Sequence, residues 1–372
     1  MKVQIDKAEL INMLAKTQNI VEKRNTMPVL VNVLLEAVKG QLKIFATDLE
    51  VSLTDYTDAE VLQDGKVAVS AKSLFDIVKE LPDAFVTLSK KENNWLEVKQ
   101  NKSVFNIVGI AADEYPIFPS YRTSDFSKIN SEVLKDMIEK TIYSVSNDET
   151  RYHLNGVYFE NKKTETGNTY RMVSTDGHRL SLIDKISEGN SVAATASSGV
   201  IIPRKGLNEI RKALDEAGQV EMAIEGSQLI IKKNNTVLMI RLIEGKYPNY
   251  QPLIPQSLKK KIQVPKDLLL SSLRRVSLLS NQKSKGITMN IQKGIMEISS
   301  NNPDLGDAKE EIEINYSGEN VKIGFNAKYL IDALTNMDTD EVDIELNDLT
   351  SPALLKPHND ANYRCVVMPM RF

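Results

Sequence analysis

Apolar residues three and four apart mark six amphipathic helices along the chain, and period-two runs between them mark strands. Three helices share one facial pattern. Residues 7–21 align Leu10, Met13 and Leu14, residues 132–145 align Leu134, Ile138 and Ile142, and residues 266–279 align Leu269, Leu273 and Val276. The other three open with a common motif, x-x-Lys-x-Leu-x-acid-apolar, at 70–77, 203–210 and 326–333. Its lysines, Lys72, Lys205 and Lys328, stand 133 and 123 residues apart, close to a third of the 372-residue chain. A short strand-like run precedes each motif, at 66–69, 199–202 and 321–325. Further strands are predicted at 41–46, 86–88, 95–99, 104–108, 229–232, 237–242, 287–291, 296–299 and 342–346. The first two copies end alike, in Tyr115-Pro116-Ile117-Phe118-Pro119 and Tyr247-Pro248-Asn249-Tyr250-Gln251-Pro252. Prolines there remove backbone donors and favour extended connectors.

The recurring order of helix, strands, motif helix and strands predicts an internal triplication. Three α+β domains are expected, at 1–122, 123–254 and 255–372, with connectors near 120–128 and 254–264. Each is long enough to bury its own core. Domains of this kind joined end to end leave sheet edges at the termini of the array, and an unpaired edge invites pairing with another chain. A head-to-tail contact closes into a ring where its rotation allows.

Composition narrows the setting. At 41% apolar and 26% charged residues, the chain reads as a soluble globular protein. Its apolar runs, such as 29–35, fall well short of the roughly 18 residues a membrane span needs. The opening MKVQIDKAEL lacks the apolar stretch of a signal peptide, so the expected location is cytoplasmic. The single cysteine, Cys365, excludes an internal disulfide and a cysteine-based zinc site. Followed by Val366, Val367 and Met368, it is expected as a small buried hydrophobe. No cofactor is expected. Lys and Arg number 47 against 50 Asp and Glu, a net charge of −3, so the whole-molecule field does not favour nucleic acid. The helix patterns carry a slight basic excess, and any DNA-facing charge must be gathered on one surface.

Seven short motifs then come into view together: Thr26-Met27-Pro28-Val29-Leu30, Thr47-Asp48-Leu49-Glu50, Arg151-Tyr152-His153-Leu154-Asn155-Gly156, Thr175-Asp176-Gly177-His178-Arg179-Leu180, Pro203-Arg204-Lys205-Gly206, Gly324-Phe325-Asn326 and Val366-Val367-Met368-Pro369-Met370-Arg371. In this order, over three repeats, the chain resembles the bacterial sliding clamps, the beta subunits of DNA polymerase III. The resemblance implies three repeated domains of the DNA clamp type in a head-to-tail homodimer, with helices lining a ring and antiparallel sheets outside. Duplex DNA passes through such a ring, which tethers a polymerase to its template. Sliding suits a lining that attracts phosphates without reading bases, because a base-specific contact of about 1–3 kcal/mol would pin the ring.

By resemblance, DNA contacts map to Arg24, Tyr152, His153 and Lys205; Lys72 and Arg204 join them from the repeat and charge pattern. His153 stands where well-known relatives carry a second tyrosine. A pocket for short peptides of the polymerase alpha subunit, clamp loader subunits and other partners maps to Leu154, Thr175, Gly177, His178, Arg179, Leu180, Pro248, Asn326, Tyr329, Val366, Val367, Met368, Pro369, Met370 and Arg371. Its leucine, valine, proline and methionine content suits varied apolar anchors, and the histidine and arginine are expected at its rim as donors. Pro252 and Ser284 replace an arginine and an aromatic residue of the best-studied relatives at the pocket edge. At the subunit interface, Phe105 is expected to meet Leu278 and Leu279, with Glu310 and Glu311 facing Lys99 and Lys102.

A catalytic reading was weighed on Thr175-Asp176-Gly177-His178-Arg179, which holds an acid, a base and a cation. A phosphodiesterase also needs a metal cage or second base, and the other histidines are His153 and His358 alone. None of H-E-x-x-H, C-x-x-C, G-x-S-x-G, an EF-hand loop or G-x-x-x-x-G-K-[ST] occurs. A non-catalytic role is expected, with the energy for ring opening supplied by a separate loader.

Overall fold

The computed structural model describes residues 1–21, 27–121, 126–164, 167–187, 199–214, 217–256 and 258–371. Alternating burial along strands such as Asn32–Val38 places one face on a core and the other toward solvent.

Among the described residues the chain runs through one supersecondary unit six times: a strand, a helix and three antiparallel strands. The first is β1 (Lys2–Asp6), α1 (Lys7–Thr17), β2 (Asn32–Val38), β3 (Gln41–Thr47) and β4 (Val51–Asp58). After a short β5 (Glu60–Gln63), the second is β6 (Gly65–Ser70), α2 (Ala71–Glu80), β7 (Phe85–Lys90), β8 (Leu96–Gln100) and β9 (Ser103–Ile107). β10 (Gly109–Ile110) follows. The middle repeat holds β11 (Ser127–Asn130), α3 (Ser131–Ile142), β12 (Gly156–Thr164), β13 (Gly167–Thr175) and β14 (Arg179–Ile186), then β15 (Val200–Pro203), α4 (Arg204–Ala213), β16 (Gln219–Glu225), β17 (Gln228–Lys233) and β18 (Thr236–Arg241). The last repeat holds β19 (Lys260–Pro265), α5 (Lys266–Val276), β20 (Gly286–Gln292), β21 (Ile295–Asn302) and β22 (Gly306–Glu313), then β23 (Val321–Asn326), α6 (Ala327–Thr335), β24 (Glu341–Leu346), β25 (Ala353–Pro357) and β26 (Tyr363–Val367).

All six predicted helices form, with shorter ends. α1 stops at Thr17, where the Gln18 N–H turns back to Ala15 O. Beyond Val276 the chain tightens into a 3₁₀ turn over Ser277–Leu279, a common way to close a helix. Side chains cap the motif helices: Ser70 accepts from the Ser73 N–H and Asn326 from the Lys328 N–H, satisfying first-turn donors.

The sheets pass from one repeat into the next, so the contacts gather into two compact units that cut through the middle repeat. One holds the described residues within Met1–Glu132 and Lys205–Leu242. It carries a five-stranded sheet, β5-β1-β7-β8-β9, and a nine-stranded sheet, β10-β6-β2-β3-β4-β18-β17-β16-β11. The other holds those within Val133–Glu188, Ser197–Arg204 and Ile243–Phe372. Its sheets are eight-stranded, β15-β12-β13-β14-β26-β25-β24-β19, and four-stranded, β22-β21-β20-β23. The larger sheet of each unit is a join of two repeats. β4 pairs β18, with Leu53 opposite Leu238, and β14 pairs β26, with Leu180 opposite Val366. α1 packs on α2 in the first unit, and α5 on α6 in the second.

The middle motif helix approaches β18 closely at one point. At the position of Ser73 in α2 and Tyr329 in α6, α4 carries Gly206, where an added Cβ would overlap Ile240 Cγ2. Gly206→Ala should therefore destabilise by about 1–3 kcal/mol through overpacking. In urea unfolding this is expected to lower the midpoint with the slope unchanged.

Candidate functional site

The predicted pocket residues fall within the second unit, around the pairing of β14 with β26. Leu154, Leu180 and Val366 converge in one buried apolar cluster with Val173, Leu182, Ile201, Tyr247, Tyr250 and Leu354. Tyr158 stacks on Tyr247 with ring centroids 5.1 Å apart and 15° between planes. Its phenol is pushed up to about 12, first by burial and then by Glu160. Ile243, Ile254 and Leu258 pack against the same cluster from the proline-containing connector. Val367 points the other way, as successive strand residues must, and is buried outside this cluster.

The loop between β13 and β14 forms the wall. The Thr175 hydroxyl donates to Arg179 O at 2.6 Å and accepts from the Gly177 N–H at 3.1 Å. Gly177 adopts φ 89°, and a side chain there would meet the Arg151 guanidinium, so glycine suits this turn. Asp176 accepts from the His178 and Arg179 N–H groups at 3.0 and 3.1 Å. The C-terminal segment is tied alongside. The Met368 N–H donates to His178 O at 2.9 Å, and the Met370 N–H to Gly324 O at 2.8 Å. Met368 is 40% exposed over this arrangement, with Pro369 and Met370 half-buried and Arg371 exposed. Pro248 is exposed beside buried Tyr247.

Arg179 corrects an expectation. It is buried, and its donors are committed within the chain: Nε to Asp176 at 3.0 Å, and its two terminal nitrogens to Asp332 and Tyr143 O, each at 2.6 Å. Its guanidinium lies 4.6 Å from the Tyr329 ring centre and 5.3 Å from that of Tyr143. Arg179 is thus a brace that holds β14 to α6 and orients Tyr329. His178 is exposed and stacked on Tyr329 at 6.4 Å. Asn326 serves as the α6 cap. Pro252 is exposed on a turn over Gln251–Leu253, and the Ser284 N–H donates to Asn281.

The basic residues divide by their partners. Arg24 lies outside the described residues. Lys205 forms an ion pair with Asp48, and Lys328 one with Asp332 at 3.1 Å, so both motif lysines are locally neutralised. Arg204 donates to Asn147 and to Val145 O, bracing the loop after α3. Tyr152 is 56% exposed, edge-on to His153 at 5.6 Å. Lys72 is exposed and makes no ion pair among the described residues. The same holds for Lys79; half-buried Arg211 likewise makes no ion pair among the described residues, where Arg274 reaches Thr335 at 3.5 Å. These three stand in the last turns of their helices, where the helix dipole favours cations. The sequence reading passed over them because it followed the shared motif lysine.

Of the expected interface residues, Phe105 is exposed on edge strand β9. Leu278, 75% exposed, and half-buried Leu279 follow α5. Glu310 is not available to lysines as expected. Arg275 holds both its oxygens at 2.6 Å and, with Ser272, keeps its carboxyl below the usual range. Glu311 pairs with Lys309.

Comparison with known proteins accounts for the whole chain. Family models described as the N-terminal, central and C-terminal domains of the DNA polymerase III beta subunit match residues 1–119, 128–249 and 251–371. A beta sliding clamp of Caulobacter vibrioides is 32% identical, and one of Vibrio cholerae is also 32% identical, each over all of both chains. Among solved structures, a sliding clamp of Bartonella birtlesii bound to griselimycin superposes with a TM-score of 0.95 at 31% identity, covering 100% of each chain. The DNA polymerase III subunit beta of Pseudomonas aeruginosa does so with 0.93 at 32%, again over 100% of each.

The buried brace Arg179 and the exposed His178 should separate in their effects. Arg179→Met leaves Asp176 and Asp332 without their shared cation and should cost about 3–5 kcal/mol. His178→Ala, at an exposed position, should stay within about 0.5 kcal/mol of the parent. Thermal and urea unfolding of both variants measure the difference.

Proposed function

The chain belongs to the DNA polymerase III beta subunit family, the beta sliding clamps, and from that membership we propose how its residues carry out a clamp's work. It is a non-catalytic clamp that encircles duplex DNA without sequence specificity and tethers the replicative polymerase and other partners through an apolar peptide pocket, conferring processivity. The working form is a head-to-tail homodimer in the cytoplasm, each subunit built of domains 1–122, 123–254 and 255–372. Among the described residues no helix is long and apolar enough to cross a membrane.

One observation carries the dimer. Each of the six supersecondary units ends in a strand, and four of these pair across repeats: β4 with β18, and β14 with β26. Left over are β9 and β22, each an unpaired edge of its own sheet. In both internal joins, the last strand of a repeat's first half meets the last strand of the next repeat's second half. β22 is the former type and β9 the latter, so β22 of one copy is matched to β9 of a second. Phe105, Leu278 and Leu279 supply apolar contact beside that join. Exposed ion pairs contribute only about 0–1 kcal/mol each, leaving most of the affinity to strand pairing and burial.

The cluster of Leu154, Leu180, Val366 and Tyr247 is the floor on which a partner peptide's apolar anchor docks. Thr175, Gly177, His178, Pro248, Tyr329 and Met368 to Arg371 surround it, with Asn326 and Arg179 holding the wall. Peptides of the polymerase alpha subunit and of clamp loader subunits are the occupants. Lys72, Tyr152 and His153 are the DNA contacts most free to act, while Arg204 and Lys205 reach phosphates only by sharing their present partners. Arg24 is retained from the family pattern.

Once loaded by a clamp loader, the protein should remain on nicked circular DNA through a salt challenge and leave after the circle is linearised, read by gel filtration. Equal loss from both forms would remove the encircling reading. Lys72→Ala should lower the salt dependence of DNA association by about 0.9 in log–log slope for each of the dimer's two Lys72 side chains that meets a phosphate. In a separate measurement, Met368→Ala should weaken a fluorescent clamp-binding peptide while light scattering still reports a dimer.

A further inference from the structure

We infer that the subunit interface is set in register by a polar triad in which Ser103 of one copy completes the Arg275–Glu310 pair of another; this rests on the head-to-tail dimer proposed above. The template is the join already present in the first unit. There, Lys16 Nζ donates to Asp55 Oδ2 at 2.7 Å and to Thr236 Oγ1 at 3.1 Å, and the Thr236 hydroxyl donates to Asp55 Oδ1 at 3.1 Å. A helix cation, an acid of the last strand and a hydroxyl of the incoming strand thus close a three-membered set. Asp55 and Thr236 are both buried, as the apposition of two strands requires.

Each member has a counterpart at the open edges. Lys16 stands nine residues beyond the first residue of α1, and Arg275 stands nine beyond the first of α5. Asp55 lies on β4 opposite Ile44 of β3, and Glu310 on β22 opposite Ile298 of β21. Thr236 is the first residue after the two-residue hairpin Asn234-Asn235, opposite Lys233. Ser103 is the first after the hairpin Asn101-Lys102, opposite Gln100. The first hairpin residue has φ 51° in both, at Asn234 and Asn101.

The second internal join keeps two of the three members. Lys140, nine residues beyond the first residue of α3, lies 5.6 Å from the ring centre of Tyr363. Tyr363 occupies the hydroxyl position of the incoming strand, opposite Ile183 in the acid's place. In both joins, then, the helix cation sits on the hydroxyl-bearing residue at the start of the incoming strand. The third join has the cation and acid already assembled in one chain, with Arg275 bound through two 2.6 Å contacts to Glu310 and still largely exposed.

The template also dictates the register. Val237 lies opposite Thr54 and Leu238 opposite Leu53. By correspondence, Val104 lies opposite the second copy's Lys309, and Phe105 opposite its Ala308. Val104 and Lys309 are both exposed in the single chain, and the native Cys365 is buried, so engineered cysteines can report on the pairing.

Two experiments on the full chain test this. The double variant Val104→Cys/Lys309→Cys should form an intermolecular disulfide under mild oxidation, seen on a non-reducing gel, well ahead of Val104→Cys/Glu311→Cys. Equal or reversed rates in a protein that light scattering shows to be dimeric would overturn the register and leave the dimer standing. A monomer by light scattering would instead overturn the dimer itself. Separately, Ser103→Ala should weaken dimerisation about a hundredfold in sedimentation equilibrium, a factor of about ten at each of the two joins of a head-to-tail ring, the effect of one hydrogen bond to a charged group per join. In a Glu310→Gln background the same change should do little. An unchanged dimer constant for Ser103→Ala, or an equal loss in both backgrounds, would remove the triad.

Discussion

An antiparallel strand leaves one row of backbone donors and acceptors unpaired wherever its sheet ends, and the arrangement of this chain follows from where those rows are satisfied. β4 and β14 would each be a sheet edge if their repeats stood alone. Each is instead covered by the closing strand of the following repeat. The cost of an open edge is thereby removed twice within the chain, and of the six strands that close the units only β9 and β22 still lie at sheet edges.

The joins also decide what the connectors between repeats cover. At the pairing of β14 with β26, the strands bring Leu180 and Val366 onto one face over Leu154 and Tyr247. Beside the strands, the loop at Asp176 and the C-terminal residues are held by backbone hydrogen bonds rather than by side-chain packing alone. At the pairing of β4 with β18, the corresponding connector folds inward. Phe118, Tyr121 and Phe126 pack on Ile230, Val237 and Met239, and the Tyr115 hydroxyl donates to Asn32 O. Equivalent joins thus differ in what their connectors cover, although each is built from the same repeated unit.

Electrostatics follow a similar division of labour. Many cations of the chain are spent internally: Lys16 on Asp55, Lys205 on Asp48, Arg179 on Asp176 and Asp332, Arg275 on Glu310. Among the described residues Lys72, Lys79 and Arg211 make no ion pair. Weak and distributed attraction is what sliding requires, since persistence comes from enclosure.

The sequence by itself determined the periodicities, and with them the six helices, a dozen of the strands and the threefold recurrence, because burial of one face per element is a local property of residue spacing. It also carried the short motifs by which the family was recognised. Tertiary structure alone decided which strand edges meet, since pairing partners such as Leu53 and Leu238 lie far apart in sequence. It also decided the fate of each charge. Arg179 carries the residue type of a rim donor, yet burial against Tyr143 and Tyr329 with two carboxylates in reach makes it a brace. Spacing tells which side of an element faces inward; only the assembled fold sets which opposite charge, if any, stands within hydrogen-bonding distance on the other side.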